Sequence, residues 1–303
     1  MLLSTYYNGY RLYLQLEKNL SKNTVEAYLR DISKMDFFCK EYNIHLDILN
    51  PTDDFFTNFI KWISNQGHAA SSQARIISGI RSFYDYLMLE KLIDRNPTEL
   101  IDFPRLSRKL PTYLTHQEIE LMLSQIDQSS PSGFRNRVIL ELLFACGLRV
   151  SELINLEKSH IYFKDECILV TGKGNKQRLI PISQNALNLL EVYLIDRNQV
   201  NTSSKDQNIL FLNHRGGKIS RISIFNIVKD LAAKAGIRKN ISPHTFRHSF
   251  ATGLVSNGAD LRAVQNMLGH ESITTTEIYT HLDRKHLQKV IDTYHPRANK
   301  NKP

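Results

Sequence analysis

In SPHTFRHSFA, residues 242–251, two histidines and an arginine fall within five positions, just after a proline. Ser242 is a cap candidate, Pro243 suits the first helical position and Gly258 closes the segment. His244 therefore falls in the first turn of a predicted helix, with Arg247 one turn along on the same face. Backbone N–H groups and the dipole at a helix start favour an anion, so an imidazole and a guanidinium placed there describe a phosphate site. His244 and His248 also stand at i and i+4, as in H-E-x-x-H. Thr245 holds the place of the general-base glutamate, however, and no third ligand follows at metal spacing. A metal site is not expected. Taken alone, the segment reads first as a solvated helix start with an incidental arginine.

Three more segments carry reactive side chains. TGKGNKQR (171–178) puts Lys173 between two glycines at the tip of a predicted hairpin, with Lys176 and Arg178 just beyond. GLRVSEL (147–153) places Arg149 after a helix-stopping glycine, and Glu152 three residues on as a carboxylate partner. LGHESITTTEIYTH (268–281) holds His270 beside a glycine and Tyr279 on a predicted following helix. Each has a plain structural reading: a solvated turn lysine, an ion pair, a cap neighbour and a half-buried aromatic.

The elements that must position these groups change character along the chain. Residues 1–102 read as helices throughout. In SKNTVEAYLRDISKMDFFCKEY, Ser21 or Asn23 can cap a stripe of Val25, Tyr28, Leu29, Ile32 and Met35. SSQARIISGIRSFYDYLMLEKLI repeats the pattern and stops at Pro97, with Arg75, Ser78, Arg81 and Ser82 away from its apolar stripe. Residues 103–111 carry two prolines and the cluster Arg105, Arg108 and Lys109, and read as a basic linker suited to a phosphate backbone. From 112 to 303 the pattern is mixed. It holds a capping box from Thr115 to Glu118, a buried helix ending at Gly147, the hairpin, and helical segments beginning near Pro243, Leu261, Ile273 and Arg284.

The 303 residues carry 39 Lys and Arg against 30 Asp and Glu, a formal charge of +9 that suits a polyanionic partner. Cys39, Cys146 and Cys167 form no CxxC pair, and the start shows no signal-peptide pattern. The longest apolar run, VILELLFACGL, is too short to span a bilayer. A cytoplasmic protein without membrane insertion is expected.

Taken together, these four boxes resemble the tyrosine site-specific recombinases of the phage integrase family, most of all the bacterial Xer type. The resemblance runs from SKNTVEAYLRDI to TTTEIYTHLD. It implies a mostly α fold with a small β-hairpin or sheet (α+β), in a two-domain C-shaped DNA clamp. Residues 1–102 would be a SAM-like core-DNA-binding domain, and 112–303 a catalytic domain ending in an exchange helix. The family's catalytic set falls on Arg149, Lys173, His244, Arg247, His270 and Tyr279, none missing. Gly253 and Glu271 depart from common family residues without touching that set.

The resemblance further implies that Tyr279 is the nucleophile of a 3′-phosphotyrosine intermediate, and that Lys173 is the acid for the leaving 5′-oxygen. Glu152 would prop Arg149. No cofactor, ATP or divalent metal is called for. Contacts to double-stranded DNA are expected from Arg75, Arg81, Arg105, Lys176, Arg178 and Lys229. Base reading would lie around Arg75 and Arg81 and on the helix with Ser223 and Asn226 to Lys229. Strand exchange implies a homo- or hetero-tetramer on two specific recombination sites, with a sister recombinase and a septal DNA translocase as candidate partners. In that assembly residues 284–296, amphipathic through Leu287, Val290 and Ile291, would reach into a neighbouring subunit. The leading expectation is resolution of chromosome or plasmid dimers. A type IB topoisomerase-like relaxing enzyme, a mobile-element integrase and a DNA-binding protein without chemistry are the alternatives, although the last would have no use for Tyr279.

Overall fold

The computed structural model describes residues 3–99, 101–104, 112–269 and 281–296. The chain divides into two compact units, Met1–Lys109 and Leu110–Pro303.

The first unit is helical: α1 (Leu3–Leu12), running into a π-turn at Tyr13–Glu17, then α2 (Lys22–Glu41), α3 (Asp53–Asn65) and α4 (Ala70–Leu89). Ser21 caps α2 by accepting the Thr24 N–H at 3.3 Å. The stripe Val25, Leu29, Ile32 and Met35 is buried against Ile76, Ile80, Phe83 and Leu87 of α4, as the helical spacing predicts.

Two cations expected at DNA have work inside this unit. Arg81 was expected to read bases. Its Nη2 instead donates to the carbonyls of Thr98 (3.0 Å) and Ile101 (3.1 Å), and its guanidinium lies 4.6 Å from the Phe103 ring. The planar fork gathers loop carbonyls from Thr98 to Ile101, and Arg81 thereby ties the chain beyond α4 back onto that helix. Arg75 pairs with the fully buried Asp31 while keeping its side chain 46% exposed, so it retains an open face. Burial pushes the Asp31 carboxyl up, against the opposing pull of Arg75.

The second unit opens with α5 (His116–Ser124), started by the reciprocal capping box in which Thr115 Oγ1 accepts from the Glu118 N–H and Glu118 accepts from the Thr115 N–H. α6 (Pro131–Ala145) follows, apolar all round from Val138 to Phe144 apart from Glu141, and therefore central. Next come α7 (Val150–Ile154), β1 (Ile161–Tyr162), β2 (Cys167–Thr171), β3 (Gln177–Pro181), α8 (Gln184–Gln199), α9 (Arg221–Lys234), α10 (Pro243–Ser256), α11 (Leu261–Leu268) and α12 (His281–Tyr294). The three strands form one antiparallel sheet in the order β1-β2-β3, with Val170 opposite Arg178. The predicted hairpin is thus formed. Gly174 takes φ +70° at its tip, and the Gly172 N–H donates to the Lys176 carbonyl at 2.8 Å.

In the single chain α12 packs on its own unit. Leu287, Val290 and Ile291, assigned above to a neighbouring subunit, are buried within this chain against Phe250, Leu254, Val264 and Met267. The groove between α10 and α11 is apolar, so the amphipathic stripe finds its complement in cis. Tyr294 O accepts from Asn257 Nδ2 at 2.7 Å, and His295 packs between the Phe144 and Phe250 rings.

Gly147 ends α6 at φ +58°, where a Cβ would stand 2.5 Å from Phe250 Cδ1. Strain and overlap with a buried ring act together at this position. Gly147→Ala is expected to cost about 3 kcal/mol, read as a lower urea midpoint. An unchanged midpoint would contradict the close packing of α6 on α10.

Candidate active site

Glu152 is the centre of the site. It lies in the first turn of α7 with its side chain 1% exposed. Its Oε2 accepts the Arg149 backbone N–H and its Oε1 accepts Arg149 Nη1, both at 2.9 Å. Arg178 donates from Nη1 to Oε1 (2.8 Å) and from Nη2 to Oε2 (3.0 Å), and Arg247 Nη1 stands 4.0 Å from Oε2. Burial would raise the Glu152 carboxyl, but the Arg178 hydrogen bonds and charge, with those of Arg149, outweigh it and hold it below the ordinary carboxylate value.

That direction fixes a pH dependence. A carboxyl lowered on folding contributes stability fully above its unfolded value near 4.5, and loses it as pH falls through the lower folded value. The stability gap between the parent chain and Glu152→Gln should therefore narrow in urea titrations from about pH 7 to pH 3. A gap constant across that range would refute the ion-pair account.

Arg247 is buried on α10. Its Nη1 donates to the Gly147 carbonyl at 2.8 Å and its Nη2 to the Leu268 carbonyl. Burial, with Arg149 and Arg178 nearby, draws its pKa down to about 10, against the pull of Glu152. It is still a cation at neutral pH. Arg149 is the more open guanidinium, 38% exposed, with Nη2 3.4 Å from the Gly269 carbonyl. Gly269 closes α11 at φ +63°. His244 is exposed in the first turn of α10, where Thr245 Oγ1 accepts the Ser242 N–H at 3.1 Å.

Arg149, His244 and Arg247 line two adjoining hollows. One, of about 470 Å³, is walled by Leu148, Ile222 and Phe225; the other, of about 560 Å³, by Thr112, His248 and Leu268. Their convergence from α7 and α10 makes a cationic pocket shaped for an anion. Lys173 sits on the one-turn bend between β2 and β3, and its side chain lies outside what is described. His270, Tyr279 and Arg105 lie outside the described residues. Lys176 and Lys229 are exposed, the latter 5.9 Å from the Phe225 ring.

Arg178 was expected at DNA and is not available to it. The side chain is 8% exposed and fully engaged by Glu152 and by the Met267 carbonyl, which accepts from Nε at 2.8 Å. Strand alternation carried the signal, since Arg178 shares the inward face of β3 with Ile180. The apolar wall of Ile222 and Phe225, 73% and 41% exposed, is not among the site residues expected from the sequence.

Residues 112–286 match the family model "Phage integrase family", more than half of the chain, and residues 7–91 match "Phage integrase, N-terminal SAM-like domain". The chain is a tyrosine recombinase of the phage integrase family. As such it cuts and rejoins DNA at specific sites. This recombinase is 43% identical over 289 residues to Tyrosine recombinase XerD of Chlorobaculum tepidum, covering 94% of each chain. It is 39% identical over 297 residues to Tyrosine recombinase XerD of Staphylococcus aureus strain Mu50, covering 98% of this chain and 100% of that one. Among solved structures it is similar to the XerH site-specific recombinase bound to palindromic difH substrate, at TM-score 0.69 and 25% identity over 91% of this chain and 81% of that chain. The lambda integrase dimer on a core site shares the fold at TM-score 0.68 and 18% identity.

Proposed function

We propose that this recombinase is an Xer-type enzyme that resolves chromosome or plasmid dimers, with Arg149, Lys173, His244, Arg247, His270 and Tyr279 as its catalytic set. The observation that carries the reading is the meeting of Arg149, His244 and Arg247 on one cationic pocket, behind which a buried carboxylate fixes the guanidinia. The identity to XerD proteins over nearly the whole chain favours the Xer reading over a mobile-element integrase.

The scissile phosphate sits against Arg149 and Arg247, whose donors hold the non-bridging oxygens. Tyr279 attacks phosphorus in line. The bond from the phenolic oxygen to phosphorus forms as that from the 5′-oxygen breaks, and a 3′-phosphotyrosine link results. His244 takes or shares the phenolic proton, Lys173 protonates the 5′-oxygen, and His270 adds a donor to the phosphate. Attack by a 5′-hydroxyl of the second strand reverses these steps, so the bond count is conserved and no nucleotide or metal is consumed.

Residues 1–102 and the basic stretch 103–111 serve as the arm that grips DNA, with Arg75 and Arg105 at the backbone, while Lys176 and Lys229 do the same on the catalytic unit 112–303. Exchange proceeds in a homo- or hetero-tetramer on two sites in the cytoplasm, with a sister recombinase or a septal DNA translocase as candidate partners.

The test is a trapping assay. A duplex selected by the protein from a randomised pool is nicked beside the cleavage point, so that the released fragment diffuses away. A covalent protein–DNA adduct, formed in the presence of a chelator and mapping to residue 279, is the expected product. Cleavage without an adduct would overturn the reading.

A further inference from the structure

Arg178 lies on β3, five residues beyond Lys173, and its bonds all go to the framework of the site. Its fork holds both oxygens of Glu152 at 2.8 and 3.0 Å, and its Nε holds the Met267 carbonyl at 2.8 Å. Glu152 in turn binds Arg149 through its backbone and its guanidinium, and stands beside Arg247. Met267 precedes Leu268 and Gly269, whose carbonyls accept from Arg247 and Arg149. A Cβ at Gly269 would lie 3.1 Å from Arg178 Cδ and Nε, so the end of α11 closes directly over this guanidinium.

A carboxylate bonded to one arginine can still swing about its side-chain torsions. A second, planar fork on both its oxygens fixes its plane, and with it the directions in which its other partners point. We propose that Arg178 is a positioning residue for strand cleavage. It locks Glu152 and the last turn of α11 together, and so aims Arg149 and Arg247 at the scissile phosphate without touching DNA itself. The proposal rests on the reading above that those two arginines hold the phosphate. The three guanidinia around one carboxylate also leave a formal excess of two positive charges (three minus one) in the framework behind the pocket, which Arg149 and Arg247 line.

The test compares Arg178→Lys and Arg178→Met with the parent chain in single-turnover cleavage of the nicked duplex, alongside affinity for the uncut duplex. Lysine keeps the charge and is the variant that should fold, but it cannot make a bidentate bond and a third bond at once. Each reaction is run with an ordinary scissile phosphate and with a methylphosphonate there, which lacks the charge that the arginines neutralise. Expected for Arg178→Lys are unchanged duplex affinity and cleavage about 100-fold slower on the phosphate, with a deficit below about tenfold on the methylphosphonate. An equal loss on both substrates would mean a merely structural residue and would overturn the proposal, as would an undiminished rate. Absence of a Tyr279 adduct in the parent chain would instead sink the underlying reading.

Discussion

The Tyr279→Phe chain is expected to give no covalent adduct with the nicked duplex, a loss of at least about 10⁴-fold in cleavage. The change removes a single oxygen, so duplex affinity should move by no more than the worth of one hydrogen bond, about fivefold. The reason is chemical. Storing the energy of a phosphodiester without a cofactor needs an oxygen that attacks well and also leaves well, and a phenolate does both better than the hydroxyl of serine or threonine. Thirteen tyrosines are present, and several are poor candidates on burial alone. Burial pushes the Tyr10 and Tyr84 hydroxyls well up, and raises Tyr193 to about 12. A residual adduct in Tyr279→Phe, mapped to another tyrosine, would remove the basis of the mechanism.

Arg247→Lys should lower cleavage by about 10²–10³-fold, the worth of one preorganised donor at about 3 kcal/mol. The substitution looks conservative, but two features of the position say otherwise. Arg247 spreads its donors between the Gly147 and Leu268 carbonyls while standing beside Glu152, which a point-like ammonium cannot copy. The surroundings also disfavour charge: burial, with Arg149 next, brings even a guanidinium down to about 10. A lysine starts lower, near 10.4, so the same desolvation carries it toward the working range and it loses its proton as pH rises. The ratio of variant to parent cleavage should therefore fall with rising pH. A parallel pair of pH profiles would show that burial does not control this cation.

Local signals are legible in the sequence because their causes are local. The Thr115–Glu118 capping box, the stop at Gly147, the hairpin around Gly174 and the start of α10 at Pro243 each depend on residues a few positions apart. The types and order of the reactive side chains were equally legible, since four boxes in one chain are hard to produce by chance. Of these, the structure brings Arg149, His244 and Arg247 to one pocket and places the Lys173 backbone at the hairpin tip.

Only the tertiary structure decided which charges meet solvent and which meet each other. Alternation along β3 turns Arg178 inward, but nothing in the local sequence of Arg178 or Arg81 says that one closes on Glu152 and the other on carbonyls after α4. Glu152 joins partners from β3 and α10, separated from it by 26 and 95 positions (178 minus 152 and 247 minus 152), and spacing of that length carries no geometric information. The same holds for α12. Its Leu287, Val290 and Ile291 stripe specifies that a face must be covered, but whether a neighbour or its own α10–α11 groove covers it depends on where that groove lies. Periodicity and capping are short-range effects written into adjacent residues, whereas partner choice among like charges and apolar faces is settled only when distant segments compete for the same neighbours.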